Sequence, residues 1–274
     1  MISRFIWIVA LTLATSAHAD RIRPDGNVIF FVSPTGDDNR DCRSEAAPCR
    51  TMQNAYGRTR PDYDFTGRSC TIKLSDGVHT QGLMMAGKLV GTHLCYVVGN
   101  PANRGGVIIQ PAPGSAAFDI QDLAMISVMD QTIQGERIIG FSGRQLVVVD
   151  IARVTFGSMP DGIAVSMTDQ AGANLAGDFS IEGDMLAFLA ANRLSRIHVG
   201  SGASISVKKP VHIRYFVMSY QNSLIDFGGE LRFKNSQFVS GRQYRAYWNG
   251  IVNTNGLVLP GNIAGEAAMG GQAY

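Results

Sequence analysis

The sequence predicts an all-β fold, a right-handed single-stranded parallel β-helix with a short N-terminal capping helix. Three observations carry the prediction. From about residue 93 onward, apolar segments at 94–98, 107–110, 125–129, 146–151, 163–167, 205–207, 213–218 and 231–233 alternate with Gly, Asn, Asp and Ser. Each is of strand length, rich in β-branched and aromatic residues, and closed by turn residues. The dipeptides Asp76-Gly77, Asp161-Gly162, Asn249-Gly250 and Asn255-Gly256 are not spaced to join successive strands as two-residue hairpins, which argues against a sandwich or barrel. Finally, residues 146–156 and 231–238 place inward apolar residues two apart, then a polar corner, then another inward residue, and 205–213 is a looser copy. One coil of about 20 residues or more buries too little alone, so stacking supplies the core and the repeats need not be identical.

Taken in chain order, Arg4, an apolar run from Phe5 to Leu13 and small residues ending in Ala17-His18-Ala19 form the pattern of a secretory signal peptide over 1–19. The run falls short of the about 20 apolar residues a membrane helix needs. The mature chain is expected to begin near Asp20, to be secreted or periplasmic after cleavage near Ala19, and to have no membrane partner thereafter. Cleavage takes Arg4 with it, leaving 23 of the 24 basic residues against 22 acidic ones. That near-neutral balance, without a basic run, gives no reason to expect nucleic acid as a partner.

Residues 20–60 read as an N-terminal strand, a disulfide loop and a capping helix. Val28 to Val32 is a strand, 33–41 a polar loop, and Thr51 a plausible N-cap before an amphipathic turn that would cover the first coil. Four cysteines in an exported chain read first as two disulfides. The preferred pairing is Cys42–Cys49 within the loop and Cys70–Cys95 between neighbouring strands; three pairings exist in principle, and a zinc site lacks any C-x-x-C or His spacing. Residues 61–248 are read as coils and 249–274 as a Gly-rich, irregular C-terminal tail.

Phe31-Val32-Ser33-Pro34-Thr35-Gly36-Asp37-Asp38, followed by Ala46-Ala47-Pro48-Cys49-Arg50-Thr51-Met52-Gln53-Asn54-Ala55, resembles the N-terminal segment of pectate-lyase-like β-helix proteins. Leu74-Ser75-Asp76-Gly77-Val78-His79 is similar to the strand and turn that open their first coil, with His79 where an aromatic is usual. The stretches 239–244, 250–256, 259–261 and 270–274 resemble the end of β-helix proteins of phages and prophages. The resemblance covers roughly the first fifth and last sixth of the chain. It implies the solenoid and a polysaccharide partner; the phage-type end implies a structural role, as a homotrimer joined through 249–274.

Uronic acid lyases of that superfamily use Ca²⁺ on clustered carboxylates and a basic residue that takes the C5 proton, because enolate-like charge must be stabilised as the proton leaves. Asp119, Asp122, Asp130 and Asp150 lie on candidate coils. Asp130 and Asp150 are about one coil apart, so with Arg153 they are the candidate catalytic set, against the bland reading of solvated corner residues. The lyases' W-I-D-H run, the paired Asp-Asp and Gly-His-Gly of polygalacturonase-like hydrolases and the Asp-Phe-Ile-Phe-Gly of pectin esterases are absent, so no established catalytic set carries over. Acid pairs for glycoside hydrolysis, which need about 5–10 Å between carboxylates, are Asp119/Asp122, Glu182/Asp184 or Glu136 with a partner. Asp37, Asp38 and Asp41 could hold calcium, although Asp and Asn also suit a tight turn and Arg40 brings positive charge. Tyr215, Phe216, Tyr220, Tyr244, Tyr247 and Trp248 gather late in the chain, where exposed rings stack on sugars and inward ones fill the core. The leading expectation is an exported protein that binds, and in its catalytic version processes, an extracellular or cell-surface polysaccharide; the rival is a non-catalytic structural or adhesin-like protein.

Overall fold

The computed structural model describes residues 21–92 and 94–274; the signal peptide expected over 1–19 lies outside the described residues. The chain winds into a parallel β-solenoid of about seven turns. Its described strands form three sheets, each parallel throughout. The ten-stranded sheet runs from Val28–Val32, Cys70–Leu74 and Cys95–Val98 to Gln272–Ala273. The eight-stranded sheet runs from Leu83–Ala86 and Ala116–Gln121 through Ile139–Arg144, Met159–Thr168, Met185–Ala191 and Val211–Tyr220 to Val239–Tyr247 and Glu266–Ala268. Short strands from Gly77–His79 to Arg232–Lys234 make the seven-stranded third wall.

Strand alternation decides which side chains line the interior. Phe118, Phe141, Val165, Leu189 and Val217 occupy one inward column of the eight-stranded sheet, all fully buried. Phe118 stacks on Phe141 at 5.1 Å and Phe188 on Phe216 at 5.2 Å. Each such side chain contributes about 1.5–3 kcal/mol of burial. Phe216 is a core residue, as its strand position suggests, and Phe233 is partly buried against the same core. Cys70 and Cys95 are register partners on adjacent strands, and their disulfide ties the first two rungs; Cys42–Cys49 closes the loop before the helix.

The corners are built from left-handed backbone. Between the eight- and ten-stranded sheets each coil from Ala116–Gln121 onward turns on two consecutive residues: Asp122-Leu123, Gln145-Leu146, Asp169-Gln170, Arg193-Leu194, Gln221-Asn222, Trp248-Asn249 and Met269-Gly270, all with positive φ. These turns stack through backbone hydrogen bonds such as Leu123 N–H to Gln145 O and Leu194 N–H to Gln221 O. The next corner, before the seven-stranded sheet, needs one left-handed residue, supplied in successive coils by Asp130, Arg153 and Gly177.

Helix Met52–Asp62 covers the N-terminal end, turning Met52, Ala55 and Tyr56 inward against Val28–Val32, Cys70–Leu74 and Leu83–Ala86. The Thr51 hydroxyl accepts from Asn54 N–H at 3.1 Å, the N-cap its sequence suggests.

At the other end the structure departs from the irregular tail expected over 249–274. Ile251–Asn253, Glu266–Ala268 and Gln272–Ala273 continue the ten- and eight-stranded sheets as a last coil. Most of the glycines that read as loss of pattern, Gly256 excepted, are places of close approach. A side chain at Gly250 would collide with the Ser219 carbonyl, and one at Gly265 with the Tyr244 ring.

Candidate functional site

The three acids of the loop are each committed locally. The Asp37 Oδ1 accepts from the Asn39 backbone and side-chain amides at 3.0 Å, and this hydrogen bonding, first from the backbone, holds its pKa below the ordinary value. Asp38 accepts from Arg50 N–H and Thr51 N–H through Oδ1 and from the Thr51 hydroxyl through Oδ2, so it anchors the start of the helix. Asp41 accepts from Arg43 N–H. Among the described residues no three His, Cys, Asp or Glu side chains lie close enough together to hold a metal ion. The loop's acids are turn and anchor residues: Asp37 and Asp41 bond two residues on within the loop, and Asp38 ties the loop to the start of the helix.

The candidate catalytic set is divided by the corner geometry. Asp130 and Asp150 do not stack: Asp150 faces outward on the ten-stranded sheet in register with Ser127 and Asn174, whereas Asp130 sits at the corner beyond it. The coil here is 23 residues, so the residue stacked on Asp130 is Arg153. The two form a bidentate pair, Nε to Oδ1 at 2.7 Å and Nη2 to Oδ2 at 2.6 Å, with the Asp130 side chain 2 % exposed. Hydrogen bonding to Asp130 raises the Arg153 pKa further above its ordinary value. Both groups are spent on each other, and Asp150 is on a different face.

The other candidate acids have local roles. Asp119 points outward from its strand while Asp122 forms a corner; Glu136 pairs with its neighbour Arg137; Asp184 accepts from His212 N–H at 2.7 Å.

Two outer faces carry organised polar groups. On the ten-stranded sheet, Asp150, Asn174, His198, Asp226 and Asn253 form one column. Asn174 donates to Asp150 at 2.9 Å, and Asp226 receives His198 Nδ1 at 2.9 Å and Asn253 Nδ2 at 2.8 Å. Three strand spacings, about 14 Å, separate the two carboxylates, beyond the range of a glycosidase pair. This column escaped sequence reading because its spacing changes from 24 to 28 residues along the solenoid.

The eight-stranded sheet presents a longer and more varied face. Met84, Asp119, Ser142, Ser166, Ala190, Met218, Arg245 and Glu266 are one outward column. Asp119 to Arg245 spans five strand spacings, about 24 Å. Small side chains in the middle leave a low floor between two built-up ends. At the N-terminal end a cleft of about 470 Å³ is lined by Gln53, Met84, Asp119, Ser142 and Arg144. There Asp119 Oδ2 accepts from Arg144 Nη2 at 3.0 Å and Gln121 Nε2 at 2.7 Å.

At the far end Arg245 lies over the Tyr247 ring at 4.5 Å and the Tyr215 ring at 5.5 Å, with Nε 2.8 Å from Glu266. Its pKa is pushed up, first by interaction with Tyr247, so its charge is permanent. Tyr220, Tyr247 and Trp248 gather with ring centroids 5.9 to 6.5 Å apart. Burial raises the Tyr220 pKa and keeps its hydroxyl protonated, while Trp248 is 51 % exposed. Such a group offers apolar ring faces to a ligand and a fixed cation beside them.

The fold and these faces define a parallel β-solenoid with two ordered outer surfaces. No family model matches the chain, and no curated protein or solved structure was found to match it. The two disulfides suit an oxidising extracellular or periplasmic setting. No helix among the described residues is long and apolar enough to cross a membrane.

Proposed function

We propose that this is an exported β-solenoid protein that binds an extracellular or cell-surface polysaccharide lengthwise on the outer face of its eight-stranded sheet. The carrying observation is the ring group Tyr220, Tyr247 and Trp248 beside Arg245, at one end of a face whose other end is the Asp119–Arg144 cleft. Pyranose rings present C–H faces that pack on aromatic rings and hydroxyls that pair with guanidinium, carboxylate and amide groups. The strand spacing of about 4.8 Å is close to the length of one sugar residue, so a chain laid along the face meets a new rung at nearly every unit. The resemblance of the N-terminal motifs to those of pectate-lyase-like proteins supports the same partner class.

The test is binding of the mature protein to a panel of neutral and uronate-containing polysaccharides by affinity electrophoresis. Reducing ends and unsaturated-uronate absorbance are followed in parallel, with and without Ca²⁺. Retention by at least one polymer is expected, and Trp248→Ala and Tyr220→Ala should each weaken it by about 3–10-fold, the loss of one ring contact. Silence across the panel from folded protein, or binding indifferent to both substitutions, refutes the reading. Product formation would add processing to binding.

A further inference from the structure

We propose that the ridge between the eight- and ten-stranded sheets is a self-association surface, through which two copies of this chain pair about a two-fold axis. The ridge is the stack of left-handed two-residue turns. At the second turn position the later coils carry Asn222, Asn249 and Gly270, residues this conformation favours. Three earlier coils carry Leu123, Leu146 and Leu194, with φ of 65°, 60° and 64°. A left-handed leucine crowds its own carbonyl, and burial would be the usual compensation. Here it is only partial: the three are 49, 55 and 61 % exposed. Strained backbone that presents apolar side chains to water calls for a partner outside the subunit.

The charges choose the partner. In the four coils from Asp122-Leu123 through Gln145-Leu146 and Asp169-Gln170 to Arg193-Leu194, a two-fold axis across the middle of the ridge sets the two copies antiparallel. Leu123 then faces Leu194 of the other copy, and Asp122 faces its Arg193. The same operation returns both contacts a second time, as an isologous interface requires. Side-by-side parallel packing would instead set Asp122 on Asp122 and Arg193 on Arg193. Arg193 is free to change partners, since its ion pair with Asp169 is long, at 3.3 Å, and open to solvent. The four rungs span only about 14 Å, so the interface is small, with a dissociation constant on the order of 10–100 μM. Both outer sheet faces remain uncovered.

Sedimentation velocity of the mature protein across a concentration series tests this. A reversible monomer–dimer equilibrium is expected. The triple variant Leu123→Asn, Leu146→Asn, Leu194→Asn should weaken association by about tenfold or more, while its melting temperature as a monomer holds or rises, because asparagine suits the turn. Asp122→Arg and Arg193→Asp should each weaken pairing, and the two together should restore it. A wild-type monomer at every concentration, a trimer, or a dimer that the triple variant leaves intact would overturn the proposal. So would a monomer whose leucines matter for polysaccharide binding, which would assign the ridge to sugar instead.

Discussion

Replacing Arg153 by methionine should cost more stability than replacing the acid it holds. Asp130 is 2 % exposed and receives two charge-assisted hydrogen bonds from Arg153, whose own side chain is 42 % exposed. Removing the guanidinium strands a buried carboxylate, a situation that costs about 3–5 kcal/mol when both partners are buried. Solvent access at Arg153 screens the pair, which brings the expected loss for Arg153→Met to about 2–3 kcal/mol. Asp130→Asn keeps a side chain that tolerates the left-handed corner and leaves a guanidinium that water can reach, so about 1 kcal/mol is expected. The double variant should be more stable than the sum of the two losses predicts, with a coupling of about 1–2 kcal/mol. Urea unfolding followed by circular dichroism measures all three. Equal losses in the two single variants, or an Arg153→Met loss below about 0.5 kcal/mol, would refute the structural account of the pair. Loss of polymer processing at unchanged stability would instead return Asp130 and Arg153 to catalysis.

Two other perturbations probe the N-terminal coils. His79 is buried and its Nε2–H donates to the Ser75 carbonyl at 3.0 Å; burial lowers its pKa below the ordinary 6.5. The unfolded chain therefore binds the proton more readily than the folded one, so stability should be level above about pH 6.5 and fall as the pH drops below it. His79→Gln should flatten that slope in thermal melts between about pH 7 and 5, and an unchanged slope would acquit this histidine. Replacing Cys70 and Cys95 together by alanine opens a cross-link between residues 25 apart and should lower unfolding stability by about 3 kcal/mol in non-reducing denaturation; a loss below about 1 kcal/mol would show that the parallel ladder alone fixes those rungs.

The sequence by itself determined the solenoid and the helix over its first coil, because these depend on local pattern, and it favoured the cysteine pairing that the structure shows. Inward positions two apart must be apolar whatever coil they belong to, and Thr51 caps a helix through a bond three residues away. The late aromatics were equally legible as a group, though Phe216 and Tyr220, four residues apart and alike in strand parity, differ in burial because Phe216 and Val217 are both buried and strict alternation holds only from Val217 on. Tertiary structure alone decided which residues stack. Coils of 23, 24 and 28 residues put Arg153, rather than Asp150, on Asp130, and set His198 beside Asp226. The physical reason is that strands bond rung to rung while corners absorb variable lengths of chain. A one-residue change in a corner therefore changes the sequence offset between stacked residues without disturbing the apolar pattern. The same logic kept the leucine ridge hidden, since a leucine after a polar residue reads as core until the backbone is seen to turn left-handed and aim it at water.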